Sequence, residues 1–131
     1  MGFAIGGHGL QIVLRRELPA VIAGRLPVAQ TSFLHTHDRE IDDIGLHLIH
    51  PGGRRILEAY RDCNALDEQA LRFSAESLRR YGNLSSASIL TVLELALDAG
   101  ASLTAGKEAF LMAIGPGLSI EMLLLDWNNA L

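Results

Sequence analysis

The run Gly45-Leu46-His47-Leu48-Ile49 reads as an apolar strand, and it ends at His50-Pro51-Gly52-Gly53, where proline and two glycines break it. A strand that is apolar on both alternating faces needs cover on both sides. Composition points the same way. Hydrophobic residues make up 49% of the chain but aromatics only 5%, so the core is built from Leu, Ile, Val and Ala. That balance suits strands buried on both faces, or a surface that expects a partner. At 131 residues the chain is long enough for one domain and too short for two ordinary ones.

Phe3-Ala4-Ile5 and Leu10 to Leu14 flank the glycine-rich Gly6-Gly7-His8-Gly9 and predict a strand pair. Met1 stands directly before the first of these strands, as in a chain cut from something longer. Pro19 and Pro27 each suit the first turn of a short helix. Asp38 to Ile44 is another short helical piece, with Thr36 or Asp38 as its cap. Helical spacing of Ile56, Leu57, Tyr60, Leu66, Leu71 and Leu78 places two helices in 53–81, and Ser85 to Ala99 is the strongest helix. Ala109 to Ile114 and Leu118 to Leu125 close the chain as a strand pair around Gly115-Pro116-Gly117. The pattern β-β-α-α-β-α-α-β-β predicts an α/β domain with one mixed five-stranded sheet and helices packed on it.

Eleven basic and fifteen acidic residues give a net charge of −4 with no basic stripe, which argues against nucleic acid. No run of 18 apolar residues is present to span a membrane. The single cysteine, Cys63, excludes an internal disulfide and fits a reducing cytoplasm. It reads as an ordinary free thiol on a helix. His35 and His37 precede acidic residues but lack a metal-ligand pattern, so they read as a solvated loop and no metal is expected. His47 reads as a satisfied polar residue of the sheet.

Three glycine-marked segments carry the candidate chemistry, each with two readings. His50 either caps a strand before a turn or stands at the sheet edge where ligand crevices form. Asn83, in Tyr81-Gly82-Asn83-Leu84-Ser85-Ser86-Ala87-Ser88, is a turn residue or helix cap, or an amide donor aimed at an oxyanion or enolate. Gly115-Pro116-Gly117 is a tight hairpin turn, or a stiff loop walling a cavity.

Taken jointly and in order, His50-Pro51-Gly52-Gly53, the segment around Asn83 and Gly115-Pro116-Gly117-Leu118-Ser119-Ile120-Glu121 resemble the C-terminal region of the chalcone/stilbene synthase family, the type III polyketide synthases. Met1-Gly2-Phe3 and Gly9-Leu10 through Leu14-Arg15-Arg16-Glu17-Leu18-Pro19 are similar to the segment leading into that region, so the resemblance covers essentially residues 1–131. The related ketoacyl synthases, which use an acyl carrier protein, have Gln-Ala-Asn rather than Pro-Gly-Gly after their histidine.

The resemblance implies a thiolase-like α/β fold, of which this chain is the C-terminal half. It also implies a decarboxylative Claisen condensation of malonyl-CoA onto an acyl-CoA starter, with no cofactor beyond these substrates. His50 and Asn83 match the donors that stabilise the enolate oxygen, and the histidine also holds the family's cysteine as a thiolate. Gly52, Gly53 and Arg55 match the mouth of the CoA tunnel. Ser85, Gly115, Pro116 and Gly117 match the lining of the growing-chain pocket. Ile12 falls where plant members commonly have a bulky phenylalanine. The family's nucleophilic cysteine lies in an N-terminal half outside these residues, and Cys63 does not match it. The partner expected is therefore that half, or a second copy in a dimer. The alternative is a catalytically inactive remnant or interaction module.

Overall fold

In the computed structural model, residues 2–7, 9–13, 18–103, 107–115 and 119–127 are described. The elements are β1 (Gly2–Gly6), β2 (Gly9–Val13), α1 (Leu18–Thr36), β3 (Ile44–Ile49), α2 (Arg54–Cys63), α3 (Arg72–Tyr81), α4 (Ser88–Asp98), β4 (Glu108–Ile114) and β5 (Ile120–Leu125). Short 3-10 turns at Ile41–Asp43, Gln69–Leu71 and Ser85–Ala87 lead into β3, α3 and α4.

β3 is buried at Ile44 and from Leu46 to Ile49, as a strand covered on both faces must be. It runs parallel to β4, with Ile49 opposite Met112, and β4 pairs antiparallel with β5. A parallel pair needs a long crossover, and α2, α3 and α4 supply it. On one face Ile44, Ile49, Phe110, Met112 and Ile114 pack against Ile22, Leu26 and Leu34 of α1 and Ile56, Leu57 and Tyr60 of α2. On the other, Leu46, Leu48 and Ala109 meet Phe73 of α3 and Val92 and Ala96 of α4. The result is three layers, α1/α2, sheet, α3/α4.

Two expectations are corrected. The sheet is mixed, but among the described residues it has three strands, in the order β3-β4-β5. β1 and β2 form their own antiparallel ribbon, from Gly2 opposite Val13 to Gly6 opposite Gly9. A hairpin completes its ladder locally at small entropic cost, and strand periodicity carries no information about which edge it joins. The second correction is α1, a single helix with Pro27 inside it rather than two short ones. Ile22, Leu26, Gln30 and Leu34 are buried at four-residue spacing straight through the proline, and that packing outweighs a proline penalty of about 3 kcal/mol. Pro27 has no N–H for the Ala23 carbonyl four residues earlier. The Cys63 thiol of α2 stands 3.7 Å from that oxygen and donates to it instead. Three helices separate β3 from β4, in line with the two expected in 53–81 and the one expected over 85–99.

One polar chain crosses the first core layer. Asn64 Nδ2 donates to Gln30 Oε1 at 3.3 Å, and Gln30 Nε2 donates to Tyr60 Oη at 3.3 Å. Tyr60 lies 3.0 Å from Nδ1 of His47. With its oxygen accepting from Gln30, the phenol hydrogen goes to Nδ1, so His47 is neutral with its proton on Nε2. His47 is thus a satisfied residue of the sheet, 4% exposed.

Burial holds the His47 pKa down at about 4, from an ordinary 6.5. Its unfolded form therefore takes up a proton before its folded form does. Stability is unaffected above pH 6.5, falls as pH drops through that value, and has lost on the order of 3 kcal/mol by pH 4. Burial also lowers the His50 pKa, which adds in the same direction. Urea midpoints measured from pH 7.5 to 4 are expected to show this slope. His47→Gln removes the larger part of it, and an unchanged slope in that variant excludes His47 as its source.

Candidate functional site

The site is built where β3 stops. His50 N–H makes the last rung to β4, donating to Met112 O at 2.8 Å. Pro51 is buried and has no N–H with which to continue the ladder. Gly52 N–H then turns back onto His50 O at 2.9 Å. This tight turn lays Gly52 against the imidazole. A Cβ at position 52 would sit 3.3 Å from His50 Cδ2, 3.5 Å from Nε2 and 3.0 Å from Ile56 Cδ1. Only hydrogen fits there without displacing a neighbour.

His50 itself is 7% exposed, and burial lowers its pKa, so it is neutral at pH 7. Among the described residues neither ring nitrogen has a hydrogen-bond partner. Both remain free for a ligand.

Asn83 comes to the same place from the other side of the chain. α3 ends at Gly82, whose φ of +69° reverses the backbone at low cost for a residue without Cβ. The Asn83 amide then donates from Nδ2 to Gly52 O at 3.1 Å. Its Oδ1 accepts from Ser85 N–H at 2.9 Å and from Ser88 Oγ at 3.5 Å. Two motifs 31 residues apart thus meet directly at Gly52, one through an imidazole packed on it and the other through its carbonyl. Of the two local readings of Asn83, turn residue or helix cap, the turn is seen: its side chain closes onto Ser85, which has φ +59° and starts a 3-10 turn, and α4 begins only at Ser88, inside the helix expected over 85–99.

The other anticipated residues are placed unevenly. Gly53 precedes α2, and its carbonyl accepts from Ile56 and Leu57 N–H at 3.0 and 3.2 Å. Arg55 is exposed on α2 with no ion-pair partner among the described residues, whereas Arg54 binds Glu58 at 2.8 Å. Ser85 is exposed beside Asn83. Gly115 follows β4 on the edge where β3 also ends, and donates to Ser119 O at 2.8 Å. Pro116 and Gly117 lie outside the described residues, as does the side chain of Ile12. A groove of about 510 Å³ lies between α2 and α3, with Leu57, Leu71, Ala75 and Leu78 as its floor, and neither His50 nor Asn83 lines it.

Cys63 is no part of this arrangement. It closes α2, about 15 Å of helix from Gly53. Burial, then the charge of Asp62, push its thiol pKa up, which suppresses the thiolate. His35 pairs with Glu40 at 3.1 Å, and the His37 ring lies tilted against Phe33 with 4.7 Å between centroids. Among the described residues no helix is long and apolar enough to cross a membrane. Sequence reasoning missed Gly52 as the contact joining the two motifs. The one available signal was its place two residues after the histidine, in a turn too tight for Cβ.

A family model described as chalcone and stilbene synthases, C-terminal domain, matches residues 2–127. The chain is 39% identical over 127 residues to the 1,3,6,8-tetrahydroxynaphthalene synthase of Streptomyces peucetius subsp. caesius, covering 97% of this chain and 33% of that protein. The crystal structure of the 1,3,6,8-tetrahydroxynaphthalene synthase of Streptomyces coelicolor, described as a bacterial type III polyketide synthase, superposes with a TM-score of 0.84 at 30% identity. It covers 94% of this chain and 35% of that one. PKS-I of the brown alga Ectocarpus siliculosus gives 0.83, also at 30% identity, over 94% of this chain and 34% of that one. The chain therefore spans about a third of the length of the curated relatives it matches.

The contact at Gly52 makes a direct prediction. Gly52→Ala is expected to destabilise the fold by roughly 1–3 kcal/mol and to shift the His50 imidazole resonances, because the ring must give way. Unmoved His50 resonances in a folded variant exclude the packing described.

Proposed function

We propose that this chain, which belongs to the chalcone and stilbene synthase family as its C-terminal domain, supplies the two neutral donors of a decarboxylative Claisen condensation. The observation that carries the reading is the meeting of His50 and Asn83 at Gly52, each with hydrogen-bonding capacity unused by the described residues. When malonyl-CoA loses carbon dioxide, the electron pair of the broken C–C bond passes to the thioester oxygen as an enolate. A neutral imidazole N–H and an amide N–H stabilise that negative charge without themselves ionising. The enolate carbon then attacks an acyl thioester, and its carbonyl re-forms as the thiolate leaves.

The acyl carrier in this scheme is a cysteine outside these 131 residues, since Cys63 is remote and held as a thiol. In this reading His50 also pairs with that thiolate. Burial opposes the imidazolium form and an adjacent thiolate favours it, so the pairing depends on the cysteine being in place.

The exposed apolar side chains favour a large partner beside the site. Leu84, beside Asn83 in sequence, and Leu90 and Leu97 of α4 are 46%, 64% and 45% exposed. We propose that a cysteine-bearing N-terminal half covers this surface and completes the cavity, with CoA thioesters as substrates entering past Gly53 and Arg55.

Reconstitution tests the reading. The 131-residue protein alone is expected to form no product from malonyl-CoA and an acyl-CoA. Mixed with the cysteine-bearing half of a tetrahydroxynaphthalene synthase, it is expected to form product, and His50→Ala then lowers the rate on the order of 10²-fold or more. Should the relative's own two halves recombine to activity while this chain does not replace the second, the chain is the inactive interaction module instead.

A further inference from the structure

We infer that Ser88 is a positioning residue, which sets the orientation of the Asn83 amide so that nitrogen rather than oxygen is presented to the substrate. The inference rests on the role proposed above for Asn83. An asparagine amide turned by 180° occupies nearly the same space, so its orientation is decided by the hydrogen bonds around it. A reversed Asn83 would present an oxygen lone pair to the developing enolate, and attraction would become repulsion.

Ser88 has no exposure, and its hydroxyl makes two bonds to the chain at Asn83. Its oxygen accepts from Leu84 N–H at 2.7 Å, which fixes the backbone directly after Asn83. With that lone pair engaged, its hydrogen is left for Asn83 Oδ1 at 3.5 Å. The same Oδ1 takes Ser85 N–H at 2.9 Å, so both of its acceptor sites face donors. A flipped amide would set its NH2 against both donors and its oxygen against the Gly52 carbonyl. Ser88 is itself held from behind: its carbonyl accepts from Thr91 Oγ1 at 2.8 Å, and Thr91 is 2.6 Å from Ser77 Oγ. Being sealed from solvent, the Ser88 hydroxyl has no water to replace it once removed.

The two side-chain N–H protons of Asn83 report this directly by NMR in the 131-residue protein. In the wild type, the proton facing Gly52 is expected to exchange with solvent about tenfold more slowly than its geminal mate. Equal rates overturn the inference without any variant. In Ser88→Ala the two rates are expected to converge to within about twofold, as the amide samples both orientations. Thr91→Val loosens the same turn but leaves the Ser88 hydroxyl, and is expected to keep the asymmetry. Asymmetry that persists in Ser88→Ala, or is lost equally in Thr91→Val, overturns the assignment. If Ser88→Ala does not fold, Ser88→Cys, which keeps the volume and weakens the donor, is read in the same way. In the reconstituted enzyme, Ser88→Ala is expected to lower kcat by about tenfold or more with the KM for malonyl-CoA unchanged. An unaltered kcat there overturns the positioning role. An inactive wild-type pair instead refutes the functional reading, while proton exchange still decides whether Ser88 orients the amide.

Discussion

β3 is sealed on both faces, and the rest of the structure is arranged around that constraint. Leu46 and Leu48 point into the layer of α3 and α4, while Ile49 meets α1 and α2. A strand with no solvent-facing side must have its polar groups satisfied from within. His47 therefore takes the Tyr60 hydroxyl, and Ile49 N–H, at the edge away from β4, takes Ser74 Oγ at 3.0 Å. Where the ladder stops, at buried His50, stands a side chain that has no hydrogen-bond partner among the described residues. The candidate site thus lies where the strand ends.

Much of this was readable from residue types, and the failures have physical causes. The strand over 45–49, the two helices within 53–81 and the strand pair around 115–117 follow from local periodicity, which senses the face an element turns to the core. Helix α1 was misread because proline propensity is local, whereas the stripe of Ile22, Leu26, Gln30 and Leu34 is held by distant partners. The Cys63 thiol that replaces the missing amide donor lies 40 residues from Ala23, beyond the reach of any spacing rule. The division of five strands into two sheets is likewise a matter of pairing, which strand patterns do not encode.

At the site, the motifs identified which residues matter but not how they touch. His50 and Asn83 were visible through the glycines beside them. That the junction is Gly52, offering a flat surface to one and a carbonyl to the other, depends on a turn whose geometry emerges only once α2 and α3 are packed. Glycine at 52 was read as room for a ligand. In the structure it is also room for His50.

Hydrogen-bond accounting separates the two donors. An amide has two acceptor sites and two hydrogens. At Asn83 both acceptor sites face donors and one hydrogen is given to Gly52, which leaves a single N–H. The direction of that N–H is fixed by the chain itself, and in the proposed mechanism no reorganisation is needed when charge develops. His50 is different. Its ring has one hydrogen and one lone pair, and the described residues fix neither, so its tautomer is left open by this chain. In the mechanism proposed above, a thiolate beside the ring would draw a proton to the facing nitrogen. One side chain is thus oriented by this chain's own hydrogen bonds, and the other is left unfixed by the described residues, so a partner that completes the proposed site would act on His50 and not on Asn83.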